Sequence, residues 1–212
     1  MPKPTTHSYP HIGRKSAALT PAFWKKRYEA KTDEWDKGAP SPGLVDFLRA
    51  GNYGTGSVIV PGCGRGHDAR ALAKAGFDVL GVDVAEIPVR DATALAEKAR
   101  LKNIRFEQGS FFDAPRKYAG KFDWMFEHTF FCAIDPAWRD RYVVTAAKLL
   151  RKGGWLLGVF YNIQPDEGPP FGCTREELFE RFSPKFTLWF EKIPPSFPNR
   201  EGKELLMLWQ RK

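Results

Sequence analysis

The stretch Val60-Pro61-Gly62-Cys63-Gly64-Arg65-Gly66-His67-Asp68 places three glycines within five residues. Glycine adopts backbone angles closed to other residues and lets a ligand come close to the main chain, so such a run after a strand is a candidate cofactor loop. No Gly-Lys-Ser/Thr follows, which excludes a phosphate-binding P-loop. His67 stands where the third glycine of a dinucleotide fingerprint would fall, which disfavours NAD. A cofactor without a pyrophosphate fits better. Asp83 follows the glycines by about twenty residues, where a carboxylate accepts both ribose hydroxyls of a nucleoside.

Other candidates sit at equivalent places. In Gln108-Gly109-Ser110-Phe111-Phe112-Asp113, Ser110 and nearby amides suit an adenine edge. Phe111 or Phe112 suits its face, the other belonging to the core. Glu127 is a carboxylate for the ammonium of a methionine moiety. His128 beside it is a base, an anion holder or a packing residue. Phe130, Phe131 and Phe171 together suit a small apolar acceptor pocket. Trp24, Tyr28 and Trp35 form an N-terminal aromatic group with two readings: a lid over a sulfonium cation, or packing of the first helix.

These residues need elements to hold them. Thr20-Pro21 reads as an N-cap with Pro at the first helical position, opening a helix over 21–30. Leu44–Ala50 reads as a second helix. Short apolar runs at Ser57–Pro61 and Asp78–Asp83 read as strands buried on both faces. Further strands are expected at 104–108, 122–127 and 155–161, with helices over 68–76, 86–101 and 136–150 between them. Thr174 and Glu177 form a capping box, and two final strands are expected at 186–192 and 204–210. Strands alternating with helices predict a parallel sheet with right-handed crossovers, and the closing strand pair predicts an antiparallel edge. Residues 1–19 read as a flexible arm, 20–212 as one domain, and 20–50 as its helical lid.

Composition sets outer limits. The chain has 212 residues, 42% hydrophobic and 27% charged, as in ordinary globular proteins. The net charge of +8 is spread in short groups without a nucleic-acid motif, so a solvated basic surface is expected and nucleic acid is not. Three cysteines suit a reducing, cytoplasmic setting, and four histidines show no zinc-ligand spacing. No secretory signal or membrane span is evident. A monomer acting on a small molecule is the expectation.

Trp24…Tyr28…Trp35-Asp36-Lys-Gly-Ala-Pro-Ser-Pro, VPGCGRGHDA, GVDVAE, GSFFD, EHTFFCAI, Gly168-Pro169-Pro170-Phe171 and the ending Arg200-Glu-Gly-Lys-Glu-Leu-Leu occur together. With them the chain resembles the thiopurine methyltransferase-like superfamily, nearest its halide and thiol (thiocyanate) methyltransferase branch, over residues 22–212. The resemblance implies an α/β, Rossmann-like seven-stranded methyltransferase sheet, mostly parallel with an antiparallel C-terminal strand and helices on both faces. It implies S-adenosylmethionine as cofactor, contacted by Trp24, Tyr28, Trp35, Gly62, Cys63, Gly64, Asp68, Asp83, Val84, Ser110, Phe111, Phe112 and Glu127. His128 and Phe171 are the implied acceptor-side residues; plant halide-type enzymes tend to carry Tyr at both. Acceptors of the class are thiols, bisulfide, thiocyanate and halides. Thiopurines, metalloid oxyanions, RNA, or a non-catalytic cofactor-binding role are the alternatives.

Overall fold

The computed structural model describes residues 19–51, 53–165 and 167–212, so the expected N-terminal arm lies, apart from Leu19, outside the described residues. The described helices are α1 (Pro21–Glu29), α2 (Pro42–Ala50), α3 (His67–Lys74), α4 (Glu86–Lys98), α5 (Pro115–Tyr118), α6 (Arg139–Leu149) and α7 (Arg175–Phe182). The strands are β1 (Ser57–Pro61), β2 (Asp78–Asp83), β3 (Ile104–Gln108), β4 (Phe122–His128), β5 (Leu150–Tyr161), β6 (Phe186–Lys192) and β7 (Glu204–Arg211).

The strands form one seven-stranded sheet in the order β3-β2-β1-β4-β5-β7-β6. The first five are parallel; β7 runs antiparallel to both β5 and β6. The antiparallel C-terminal strand is therefore internal, and β6 forms the edge. Alternate residues of the central strands feed two cores. Ile59, Leu80, Met125 and Leu156 face α6 and α7, through Tyr142, Leu149 and Phe182. Val58, Val60, Val79 and Phe126 face α2 and α3, through Leu44, Ala69 and Leu72. Burial of the strands on both faces is why β1 and β2 carry unbroken apolar runs.

Local signals set the element ends. Thr20 Oγ1 accepts from Phe23 N at 3.2 Å, and Pro21 opens α1. Thr174 Oγ1 accepts from Glu177 N at 3.1 Å, but the Glu177 carboxylate turns to Arg139 and Arg181 instead of closing the capping box. The helix expected over 136–150 is a 3-10 turn followed by α6, and it stops at Leu149 because Leu150 is already paired with Phe122. Gly153-Gly154 thus lie inside β5 rather than ending a helix.

The chain runs outward from β1 to β2 and β3, then returns to place β4 on the other side of β1. Loops leaving β1 and β4 diverge at this reversal, and a crevice opens at the carboxyl ends of the strands.

Candidate active site

A cavity of about 700 Å³ fills that crevice. Its floor is supplied by strand ends: Gly62 after β1, Asp83 and Val84 at β2, Gly109 and Ser110 after β3, Thr129 and Phe130 after β4, and Tyr161 at the end of β5. Trp24, Tyr28 and Trp35 close it from the N-terminal segment.

The glycine turn requires its glycines. Gly62 and Gly64 have φ of +55° and +52°, in the left-handed region, and a Cβ on Gly62 would come within 2.5 Å of the Phe130 ring. Cys63 N donates to Val82 O at 3.2 Å, which ties the turn to β2. Asp83 receives Gly64 N at 3.0 Å on one oxygen and Ala85 N at 2.9 Å on the other. Burial raises the pKa of this carboxyl, and the amides oppose the rise. A carboxylate offers about four acceptor positions, so Asp83 keeps acceptor capacity for a ligand hydroxyl beyond its backbone amides.

The lid aromatics meet edge to face. Trp35 lies 5.5 Å from Trp24 and 5.6 Å from Tyr28, and its Nε1 donates to Tyr28 Oη at 3.4 Å. Burial, then Asp83, pushes the Tyr28 pKa up, so the phenol stays neutral. Arg65, from the glycine turn, lies 5.2 Å over the Tyr28 ring and pairs with Asp33, with Asp36 at 2.8 Å and with Asp91 at 3.2 Å. The lid is therefore pinned to the glycine turn by charge as well as by aromatic contact. At the opposite wall, Phe111 is a core residue whose edge reaches the cavity. Phe112 is the more open ring and carries Trp138 edge to face at 5.4 Å.

Seven residues expected at the site, Cys63, Gly64, Asp68, Glu127, His128, Phe131 and Phe171, do not line this cavity. Glu127 is 1% exposed; one oxygen accepts from Phe130 N at 2.9 Å and Phe131 N at 2.8 Å, the other from Tyr142 Oη at 2.6 Å. It holds the turn after β4 and offers no carboxylate to an ammonium in the cavity. That turn puts Thr129 at φ +63°, a strained conformation for a β-branched residue, at the cavity floor. His128 lies behind the floor with Nδ1 2.8 Å from Asp68 Oδ2 and Nε2 3.7 Å from Glu204 Oε1. Burial opposes its charge, but Asp68 and Glu204 prevail and raise its pKa to about 9. Its ring is held from behind by Asp68 and Glu204, with Arg200 Nη1 3.4 Å from Nε2, rather than facing an acceptor. Asp68 spends its other oxygen on Ser41 N at 2.6 Å, tying α2 to α3, and does not line the main cavity. Cys63, Gly64, Asp68 and His128 instead surround a small neighbouring pocket of about 50 Å³. Phe171 packs over Gly168 and gives its N–H to Cys132 O at 2.6 Å; Pro169 and Pro170 line the cavity in its place, and Phe131 is buried core.

Tyr161 and Arg200 are among the cavity residues to which the sequence analysis gave no role. The Arg200 guanidinium lies 5.0 Å over the Tyr161 ring and pairs with Glu204 at 3.3 Å. Arg200 opens the quoted C-terminal stretch, but nothing local shows that its loop returns to β5.

A sequence profile of the thiopurine S-methyltransferase family matches residues 19–192. The chain belongs to the thiopurine S-methyltransferase family. Among its relatives, a protein named probable thiol methyltransferase 2 of Arabidopsis thaliana is 32% identical over 89% of this chain and 84% of its own. A thiocyanate methyltransferase 1 of Brassica oleracea is 31% identical over the same shares. The fold is shared with a Burkholderia thailandensis 1,6-didemethyltoxoflavin-N1-methyltransferase solved with S-adenosylhomocysteine. That match has a TM-score of 0.75 at 22% identity and covers all of this chain and 94% of the other. Family and fold together make the protein an S-adenosylmethionine-dependent methyltransferase. The donor set fits that cofactor: Asp83 retains acceptor capacity for a ribose, Ser110 and Phe112 suit an adenine, and Trp24 and Trp35 suit a sulfonium.

Proposed function

We propose that this family member methylates a small, soft nucleophile, with a thiol or bisulfide ahead of thiocyanate and halide. The observation that carries the reading is the absence of an uncommitted base among the described acidic cavity residues. Asp83 is held by the amides of Gly64 and Ala85 and its remaining capacity serves the ribose, Glu34 pairs with Arg27 at 3.1 Å, and Asp135 accepts from Ala137 N at 2.9 Å. An acceptor here must already be a good nucleophile, as thiolates, thiocyanate and halides are. The names of the thiol and thiocyanate methyltransferase relatives support the same class.

When bound, S-adenosylmethionine supplies a sulfonium methyl carbon, which an acceptor lone pair takes in one displacement that leaves S-adenosylhomocysteine. The chain's own residues align the partners and exclude water. Trp24 and Trp35 would cover the cation, and Phe130, Ile134, Pro169 and Pro170 give the cavity an apolar wall for the acceptor. Arg200, over Tyr161, favours an anion there. Cys132 at the wall is no rival nucleophile, because burial, then Glu127, pushes its pKa up to about 12. The unpaired cysteines support a reducing, cytoplasmic setting, and no described helix is long and apolar enough to cross a membrane.

The test is labelled methyl transfer from S-adenosylmethionine to a panel of thiols, bisulfide, thiocyanate, iodide, a thiopurine, a metalloid oxyanion and purified RNA. Transfer to a thiol or bisulfide at the highest kcat/KM is expected. Labelling of RNA, or of the thiopurine alone, would overturn the small-acceptor reading.

A further inference from the structure

The lid carries a cation that neither the cofactor contacts above nor the acceptor wall uses. Lys37 is half-buried and lines both the main cavity and the small pocket behind the glycine turn. Tyr28, Trp35 and Gly62 line the same two spaces.

Other cavity cations have carboxylate partners: Arg27 has Glu34 at 3.1 Å, and Arg200 has Glu204 at 3.3 Å. Lys37 pairs with no carboxylate among the described residues. The acidic residues closest along the chain are engaged elsewhere. Asp33 binds Arg65. Asp36 receives Arg65 Nη1 at 2.8 Å and Gly38 N at 2.8 Å, and lies 2.9 Å from His67 Nε2. These contacts hold the backbone on both sides of Lys37, so this residue lines the cavity from a fixed segment. An ammonium with no carboxylate partner at a cavity wall attracts an anion that binds beside it.

The geometry of the cavity selects the anion. Asp83 marks the ribose position, and Ser110 and Phe112 lie on the adenine side. Lys37 shares both spaces with Gly62, Tyr28 and Trp35, whereas Asp83, Ser110 and Phe112 line the main cavity alone, so a cofactor with its ribose at Asp83 and its adenine at Ser110 has the Gly62 and Lys37 side left for its amino-acid end. We propose that Lys37 is the counter-ion for the α-carboxylate of the cofactor's methionine moiety. The proposal rests on the reading of Asp83 as the ribose site.

Calorimetry with two ligands tests it. S-adenosylhomocysteine has the amino-acid end; 5′-methylthioadenosine keeps the adenosine and the thioether but lacks that end. Lys37→Met should weaken S-adenosylhomocysteine binding roughly 10- to 100-fold, as for loss of a charge-assisted hydrogen bond. It should leave 5′-methylthioadenosine unchanged, and Lys37→Arg should restore most of the loss. Equal losses for both ligands, or no loss for either, would overturn the assignment. So would unchanged S-adenosylhomocysteine affinity with a raised KM for thiocyanate, which would move Lys37 to the acceptor. Failure of the Asp83 reading is a separate result: Asp83→Ala would then bind 5′-methylthioadenosine as tightly as the wild type does.

Discussion

Nδ1 of His128, at the end of β4, stands 2.8 Å from Oδ2 of Asp68, in the first turn of α3, across 60 residues of chain. The contact joins the two loops that diverge at the crevice, beneath the cavity floor. It also makes stability depend on pH. The folded pKa of His128 is raised to about 9 from 6.5, so its contribution is fully present below pH 6.5 and is lost as pH rises through 9. Denaturant unfolding should show the wild type losing up to about 3 kcal/mol over that window relative to His128→Gln. Parallel pH profiles for the two proteins would contradict the ion pair.

Arg200 should act on acceptor charge. Arg200→Gln is expected to lower kcat/KM for thiocyanate roughly 10- to 100-fold, the scale of a charge-assisted contact. A neutral thiol at low pH should lose less, and Arg200→Lys should recover part of the difference. Steady-state kinetics on the two acceptors checks this, with the unfolding midpoint reported because Glu204 loses a partner too.

Asp83→Ala should weaken S-adenosylhomocysteine binding by about 1.5–3 kcal/mol for each lost hydrogen bond. The substitution also leaves Gly64 N and Ala85 N without their acceptor, so thermal stability should fall as well. Calorimetry on the folded variant separates the two effects. Unchanged affinity would remove the ribose assignment.

Arg65→Ala should release the lid from the glycine turn. Amide hydrogen exchange over residues 20–42 should then be faster, and S-adenosylhomocysteine should dissociate faster than from the wild type. The core strands should exchange at unchanged rates, because among the described residues Arg65 forms ion pairs with Asp33 and Asp36 of the lid and with Asp91 of α4 and with no strand residue. Exchange that rises throughout the sheet would mean Arg65 supports the whole domain.

The sequence by itself marked all seven strands, though not the start of β5, together with the glycine turn, Asp83 at the end of β2 and an N-terminal aromatic group whose lid and packing readings stayed open. Each of these is written locally: an apolar run for a strand buried on both faces, glycines for positive φ, Thr20-Pro21 for a helix start. The tertiary structure alone decided where the side chains after β4 point. Glu127 and His128 are neighbours on one strand and so face opposite sides of the sheet. Glu127 meets Tyr142 of α6, and His128 meets Asp68 of α3 and Glu204 of β7. α6 and α3 pack against opposite faces of the sheet and β7 belongs to the sheet itself, so both side chains are satisfied away from the crevice. Arg200 and Lys37 reach the cavity for the same reason: their neighbours in space, Tyr161 for one and the glycine turn for the other, are distant in the chain. Local pattern encodes an element and its ends; the direction of a polar side chain depends on which partner the fold brings to it.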